Sequence, residues 1–147
     1  MIQITKSIEW DMGHRVPNHR SKCRNPHGHR YRMELTLTGL INRVHGASSE
    51  GMVIDFGDVK KVMMEQIHDV LDHGFMIYEK DHILSTFFEM NAEEKFKVIK
   101  VPFVPTVENV SNWCYNRLTQ HFSNDISVYN VRVYETPNSW ADCNSRD

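Results

Sequence analysis

The sequence predicts an α+β domain, a four-stranded antiparallel sheet carrying two helices on one face. Three observations lead there. Residues 29–42 alternate, with Tyr31, Met33, Leu35 and Leu37 on one side and Arg30, Arg32, Glu34, Thr36 and Thr38 on the other. Two later stretches repeat apolar residues at helical spacing: Val59, Val62, Met63, Ile67, Val70 and Leu71, then Val107, Val110, Cys114, Leu118 and Phe122. The elements then run β-β-α-β-α-β without repeat or linker, and 147 residues suit one domain spanning 1–147.

Taken in order, residues 2–16 alternate loosely through Ile2, Ile4, Ile8, Trp10 and Met12, a strand with His14 near its end. Residues 17–26 are a basic loop rich in turn residues, so the strand at 29–42 returns antiparallel to the first. After a loop at 43–51, Met52-Val53-Ile54 reads as a short strand-like run. Asp55 is an N-cap with Asp58 in a capping-box position, opening a helix over about 56–71. Asp72-His73-Gly74 ends it, with Gly74 as the stop. Residues 75–94 carry no clear period, and Ile83 to Glu89 read as a short helix or turn. Phe96 to Val101 form a third strand, closed by Pro102 and Pro105. Thr106 caps a helix over 107–122, and Ile126 to Tyr134 make the last strand. The polar tail from Asn138 is expected to be loosely held.

Composition excludes several functions. A net charge of −2 gives no general basis for binding nucleic acid or acidic membranes. No apolar run approaches the roughly 20 residues that span a bilayer, and Met1 to Lys6 lack a signal-peptide core, so the expectation is cytoplasmic. Three cysteines, Cys23, Cys114 and Cys143, are too few and odd in number for a disulfide framework. There is no Gly-rich phosphate loop and no dinucleotide fingerprint.

Chemistry concentrates in Cys23-Arg24-Asn25-Pro26-His27-Gly28-His29. At the start of a strand, His27 and His29 point to the same face from origins roughly 6.6 Å apart. Both can then reach one ion at the usual zinc–nitrogen length of about 2.0–2.1 Å. If the first two strands pair, His14 returns beside them, and three histidines leave a fourth position open, as in catalytic zinc sites. Against this stands an ordinary polar turn, since H-x-H pairs also arise by chance. Cys23 is either a fourth ligand that closes the site or a free thiolate serving as acid and base. Asp72 beside His73 can orient an imidazole, although such pairs usually mark a polar helix end. Glu108 has a routine place in a first helical turn, and Glu135 ends the last strand.

Together these elements resemble the 6-pyruvoyl-tetrahydropterin synthase family, which includes the bacterial 6-carboxy-5,6,7,8-tetrahydropterin synthases. The resemblance rests on His14, Cys23-x-x-x-His27-Gly28-His29, Gly51 to Phe56, Leu71-Asp72-His73, Pro105-Thr106-Val107-Glu108-Asn109 and Val133-Tyr134-Glu135-Thr136, in that order over nearly the whole chain. It implies the tunnelling fold, in which trimers close a barrel and stack as a hexamer with active sites between subunits. It implies zinc on His14, His27 and His29, with Cys23 as acid–base residue partnered by Asp72 and His73. Glu135, with Glu108 and Thr106, would hold the pterin. Three residues between Cys23 and His27 resemble the bacterial carboxy enzymes. The implied substrate is 7,8-dihydroneopterin triphosphate, and the basic residues Arg15, His19, Arg20, Lys22 and Arg24 stand beside the site as candidates for its triphosphate.

Overall fold

The computed structural model describes residues 1–123 and 125–145. Its centre is a hairpin of two 13-residue strands, β1 (Ile2–His14) and β2 (His27–Gly39), paired antiparallel from Ile2↔Gly39 to His14↔His27. A helix follows, α1 (Phe56–Met63), which passes through a π-turn (Met64–His68) into a last turn α2 (Asp69–Leu71). Then come β3 (Gly74–Tyr78), α3 (His82–Met90), β4 (Val98–Val101), α4 (Val107–Leu118), β5 (Ile126–Thr136) and β6 (Ser139–Asn144).

The α+β class holds, but the sheet has six strands in the order β4-β3-β1-β2-β5-β6 rather than four. It is also mixed, because β3 lies parallel to both β1 and β4. The run Phe75-Met76-Ile77-Tyr78 is the continuous apolar segment of a buried parallel strand, which lacks the alternation that marks a half-wet one. The tail is not loose: β6 turns back through Pro137-Asn138 and pairs with β5 from Thr136↔Ser139 to Asn130↔Asn144. Met52-Val53-Ile54 is bent chain rather than strand.

Both helix starts are capped as the sequence implies. Asp55 accepts from the Gly57 N–H at 2.6 Å, and Thr106 accepts from the Asn109 N–H at 3.3 Å. The stop before β3 differs from expectation. The left-handed residue is His73, at φ 59°, and Gly74 is required for a different reason. A Cβ there would stand 2.3 Å from Ile99 Cδ1 and 3.0 Å from the Leu71 carbonyl.

Strand alternation divides the sheet. Ile8, Trp10 and Met12 of β1, Tyr31, Met33, Leu35 and Leu37 of β2, and Val131 and Val133 of β5 are buried against Val59, Met63, Ile67 and Leu71 and against Val110, Cys114 and Leu118. The opposite face is polar, with Arg30 on Glu9 and Asp11, Arg32 near Glu34, and Arg132 on Asp142. Each fully buried Leu or Met side chain contributes about 1.5–3 kcal/mol, whereas exposed ion pairs contribute about 0–1 kcal/mol. The helix side therefore holds the fold, and the polar face is available for other contacts. No helix among the described residues is long and apolar enough to cross a membrane.

Two irregularities steer β5. Opposite Thr36 and Leu37 the register skips Tyr129, so the inward face changes from Ile126 and Val128 to Val131 and Val133. Against β6 the register skips Glu135. Without the first skip, Glu135 would follow the even-numbered phase outward. With it, the carboxylate joins the helix side.

Candidate metal and substrate site

His14 closes β1, and His27 and His29 open β2. Because His14 pairs with His27 across the hairpin, all three imidazoles stand on the helix side of the sheet. Their ring centres lie 4.7, 4.8 and 5.1 Å apart. Two of the rings are oriented through Nδ1: His14 donates to the Pro105 carbonyl at 2.7 Å, and His27 to the Asn25 carbonyl at 2.6 Å. A carbonyl can only accept, so the proton belongs on Nδ1 and the Nε2 lone pairs face inward.

Those lone pairs meet other acceptors. His27 Nε2 is 3.1 Å from His29 Nε2, and Glu135 Oε1 is 2.9 Å from His29 Nε2 and 3.3 Å from His14 Nε2. The His14 contact is close but poorly aligned, leaving its buried Nε2 without a hydrogen bond. One proton on His29 Nε2 satisfies one neighbour and not the other. A cation satisfies all of them. The ligand atoms of His14, His27, His29 and Glu135 lie within 4.8 Å of one another, so this donor set fits a metal ion.

The local electrostatics agree. Burial pushes His29 down from the ordinary imidazole range, helped by His14 and His27 and opposed by Glu135, so the ring favours the neutral ligand form. The contact with His14, then the charges of His14, His29 and His27, hold Glu135 below the usual carboxylate range against its own burial. Burial, then the Glu135 charge, keeps the adjacent Tyr31 phenol protonated.

The other expected residues are distributed around this centre. Cys23 is half-buried and free in a short 3-10 turn (Lys22–Arg24), and its carbonyl accepts from the Val16 N–H at 2.8 Å. It stands outside the four-ligand cluster. Thr106 spends its hydroxyl on capping α4, and the chain just before it supplies the Pro105 carbonyl to His14. Glu108 is exposed in the first turn of α4 and outside the cluster.

Asp72 and His73 form a unit of their own. Asp72 accepts from the Asp11 N–H at 3.0 Å with one oxygen and faces His73 Nδ1 at 2.8 Å with the other. The Asp11 N–H, then His73, hold the Asp72 carboxyl below its ordinary range. Lys97 fixes the same turn by donating to the Asp69 and Asp72 carbonyls at 2.9 and 2.7 Å. His73 is 78% exposed and borders an open hollow of about 440 Å³ with Asp11, Met12, Gly13, Gly28, His29 and Arg30. Alternation puts the Asp11 and Arg30 side chains on the polar face, opposite the three imidazoles, while His29 and Met12 border the same hollow from strand positions that face the other side.

One feature was not readable in the sequence. Arg15, a candidate for the triphosphate, is instead engaged by both oxygens of Asp81, at 2.6 and 2.8 Å. The partners are 66 residues apart, and no spacing rule connects them. Arg20, Lys22 and Arg24 remain exposed.

The model of the 6-pyruvoyl tetrahydropterin synthase family matches residues 3–146. The chain belongs to that family. Among curated proteins, this family member is similar to the 6-carboxy-5,6,7,8-tetrahydropterin synthase of Haemophilus influenzae, at 30% identity over 97% of this chain and 98% of that one. The protein of the same description from Rickettsia bellii is 31% identical over 97% and 99% of the two chains. Among solved structures, an uncharacterized protein from Wolinella succinogenes superposes with a TM-score of 0.80 at 24% identity, covering 99% of this chain and 98% of that one. The 6-pyruvoyl tetrahydropterin synthase of Caenorhabditis elegans gives 0.69 at 24% identity over 98% and 95%. The subunit fold expected of the tunnelling family is therefore the fold of this chain.

Proposed function

We propose that this family member is a zinc-dependent lyase of the cytoplasm, a 6-carboxy-5,6,7,8-tetrahydropterin synthase. Its substrate is 7,8-dihydroneopterin triphosphate, and its products are 6-carboxy-tetrahydropterin, acetaldehyde and triphosphate. The carrying observation is the inward convergence of Nε2 atoms from His14, His27 and His29, the first two oriented by backbone carbonyls, with more acceptors gathered there than one proton can serve. The similarity to relatives of that description over nearly the full chain supports the same reading.

In this reading His14, His27 and His29 hold zinc. A zinc ion held by these three residues would supply Lewis-acid polarisation for the hydroxyl and keto oxygens of the substrate side chain. Cys23 takes and returns protons at carbon, from a turn tied to the end of β1 through the Val16 N–H. The Asp72–His73 pair supports that transfer: Asp72 fixes the Nδ1 proton of His73, leaving Nε2 toward solvent. Its place on the polar face suits a site completed by a neighbouring subunit, as in a hexamer built from two trimers. Glu135 accepts two parallel N–H bonds from the pterin's amino-pyrimidine edge, with Glu108 in the first turn of α4 and its cap Thr106 as helpers.

Two alternatives have specific consequences. The distance of 2.9 Å from Glu135 to His29 favours a second role for Glu135 as a metal ligand. A 6-pyruvoyl-tetrahydropterin product would need the same residues without loss of acetaldehyde. Incubating zinc-loaded protein with 7,8-dihydroneopterin triphosphate and weighing the product by mass spectrometry decides the reaction. Acetaldehyde with a carboxy-pterin is the expected outcome; a pyruvoyl-pterin without acetaldehyde overturns it.

A further inference from the structure

We propose that Arg15 and Asp81 form a positioning clamp that sets the Cys23 turn against the histidine cluster; this rests on the proposed role of Cys23. Arg15 directly follows His14, at the exit of β1. Its guanidinium makes a fork on Asp81 through Nε and Nη2, and its remaining nitrogen, Nη1, donates to the Arg24 carbonyl at 3.3 Å. The next residue, Val16, donates its N–H to the Cys23 carbonyl at 2.8 Å. Two consecutive residues leaving the metal-binding strand thus hold the two consecutive carbonyls of the cysteine turn.

Asp81 is the fixed end of this arrangement. It is 4% exposed. Its Oδ1 also accepts from the Leu84 N–H at 3.2 Å, capping α3. Within the turn the Arg24 N–H donates to the Ser21 carbonyl at 3.3 Å and the Asn25 N–H to the Lys22 carbonyl at 3.0 Å, and His27 holds the Asn25 carbonyl. These bonds shape the turn locally; with Ser21, Lys22, Arg24, Asn25 and Pro26 all exposed, the Arg15 fork is what ties it to a buried carboxylate. A buried ion pair is poor value as a source of stability, since an apolar pair of the same volume often does as well. What it supplies here is geometry. The guanidinium is a planar fork with a spare donor, which a lysine ammonium cannot reproduce. In a proton transfer from carbon, a shift of about 1 Å can cost about 10²-fold in rate.

The test uses Asp81→Asn and Arg15→Lys in the full, zinc-loaded protein. Four quantities are read: zinc per chain, kcat, KM, and the rate at which iodoacetamide alkylates Cys23 at one fixed pH, with Cys143 as internal reference. The expected result is kcat reduced about 10²-fold with KM changed by less than about threefold, which is the signature of lost positioning rather than lost binding. Zinc stays at the wild-type level, and Cys23 alkylation rises relative to Cys143. Unchanged kcat and unchanged Cys23 alkylation overturn the clamp. So does zinc loss in proportion to kcat, because the pair then serves only the histidine end of β1. If Asp81→Asn does not fold, Arg15→Lys, which keeps the charge, decides. If the wild type turns over no pterin, the proposed function fails, and the alkylation rates still judge the clamp.

Discussion

Gly74 offers a test in which the geometry sets both sign and size. It follows Asp72 and His73 directly, and it is the point where β3 meets β1. In Gly74→Ala the new methyl would lie 2.3 Å from Ile99 Cδ1, 3.0 Å from the Leu71 carbonyl and 3.4 Å from Lys97 Cγ. The first neighbour is a side-chain tip that can rotate; the second is backbone at the end of a packed helical turn and cannot. Overpacking of this kind costs about 1–3 kcal/mol. Removing a glycine from the unfolded chain returns about 0.4–1 kcal/mol. With immovable backbone in contact the cost lies in the upper half of that range, so the net is a loss of about 1–2.6 kcal/mol, and at about 2–4 °C per kcal/mol for a domain of this size the melting temperature falls by about 2–10 °C. Thermal unfolding by circular dichroism, at matched protein and zinc concentration, measures it. Ile99→Val removes the clashing Cδ1, so the double variant should be less destabilised than the sum of the singles by at least about 0.5 kcal/mol. The Leu71 contact remains in that variant, so full recovery is not expected. A melting temperature in Gly74→Ala equal to or above that of the wild type, or strict additivity with Ile99→Val, would refute the steric account.

Three more expectations concern the site. Cys23→Ala should keep its zinc, by elemental analysis, and lose turnover; zinc loss would restore the thiol as a ligand. Glu135→Ala should also retain zinc, because three histidines remain, while pterin binding measured by fluorescence titration weakens about tenfold or more for a lost charged hydrogen-bond pair; unchanged affinity removes Glu135 from the anchoring role. For pH, the Arg15 contact holds Asp81 below the ordinary carboxylate range, the Asp11 N–H does the same for Asp72, and Arg132 for Asp142. A folded-state pKa below the unfolded one gives stability that is complete above about pH 4–5 and lost as pH falls through the folded value. The difference in melting temperature between wild type and Asp81→Asn should therefore shrink as pH drops from about 6 to 3; a constant difference would show that the carboxylate's charge does not contribute.

Much of the site was legible because it is local. His27 and His29 share a face by strand periodicity alone, and His14 follows once the hairpin is assumed. The caps at Asp55 and Thr106 were readable from residue type and position. The missed strands failed for different reasons. β3 did carry a signal in Phe75 to Tyr78, but a short continuous apolar run suits a buried helix segment as well as a strand. β6 is an edge strand held by backbone pairing to β5, and backbone hydrogen bonds leave no mark on side-chain pattern.

The sequence by itself determined which histidines share a strand face and so could converge on one point, because that depends on spacing along one or two neighbouring strands. Tertiary structure alone decided what meets them. A skipped residue at Tyr129 turns Glu135 inward onto His14 and His29. A chain crossing of 66 residues puts Asp81 on Arg15, and one of 91 brings the Pro105 carbonyl to His14. Asp72 and His73, adjacent in sequence to the helix that packs on the histidine side, are tied to the Asp11 backbone, and His73 borders a hollow that includes Asp11 and Arg30 of the polar face. Each of these depends on register and packing between distant segments, which side-chain periodicity within a segment does not encode.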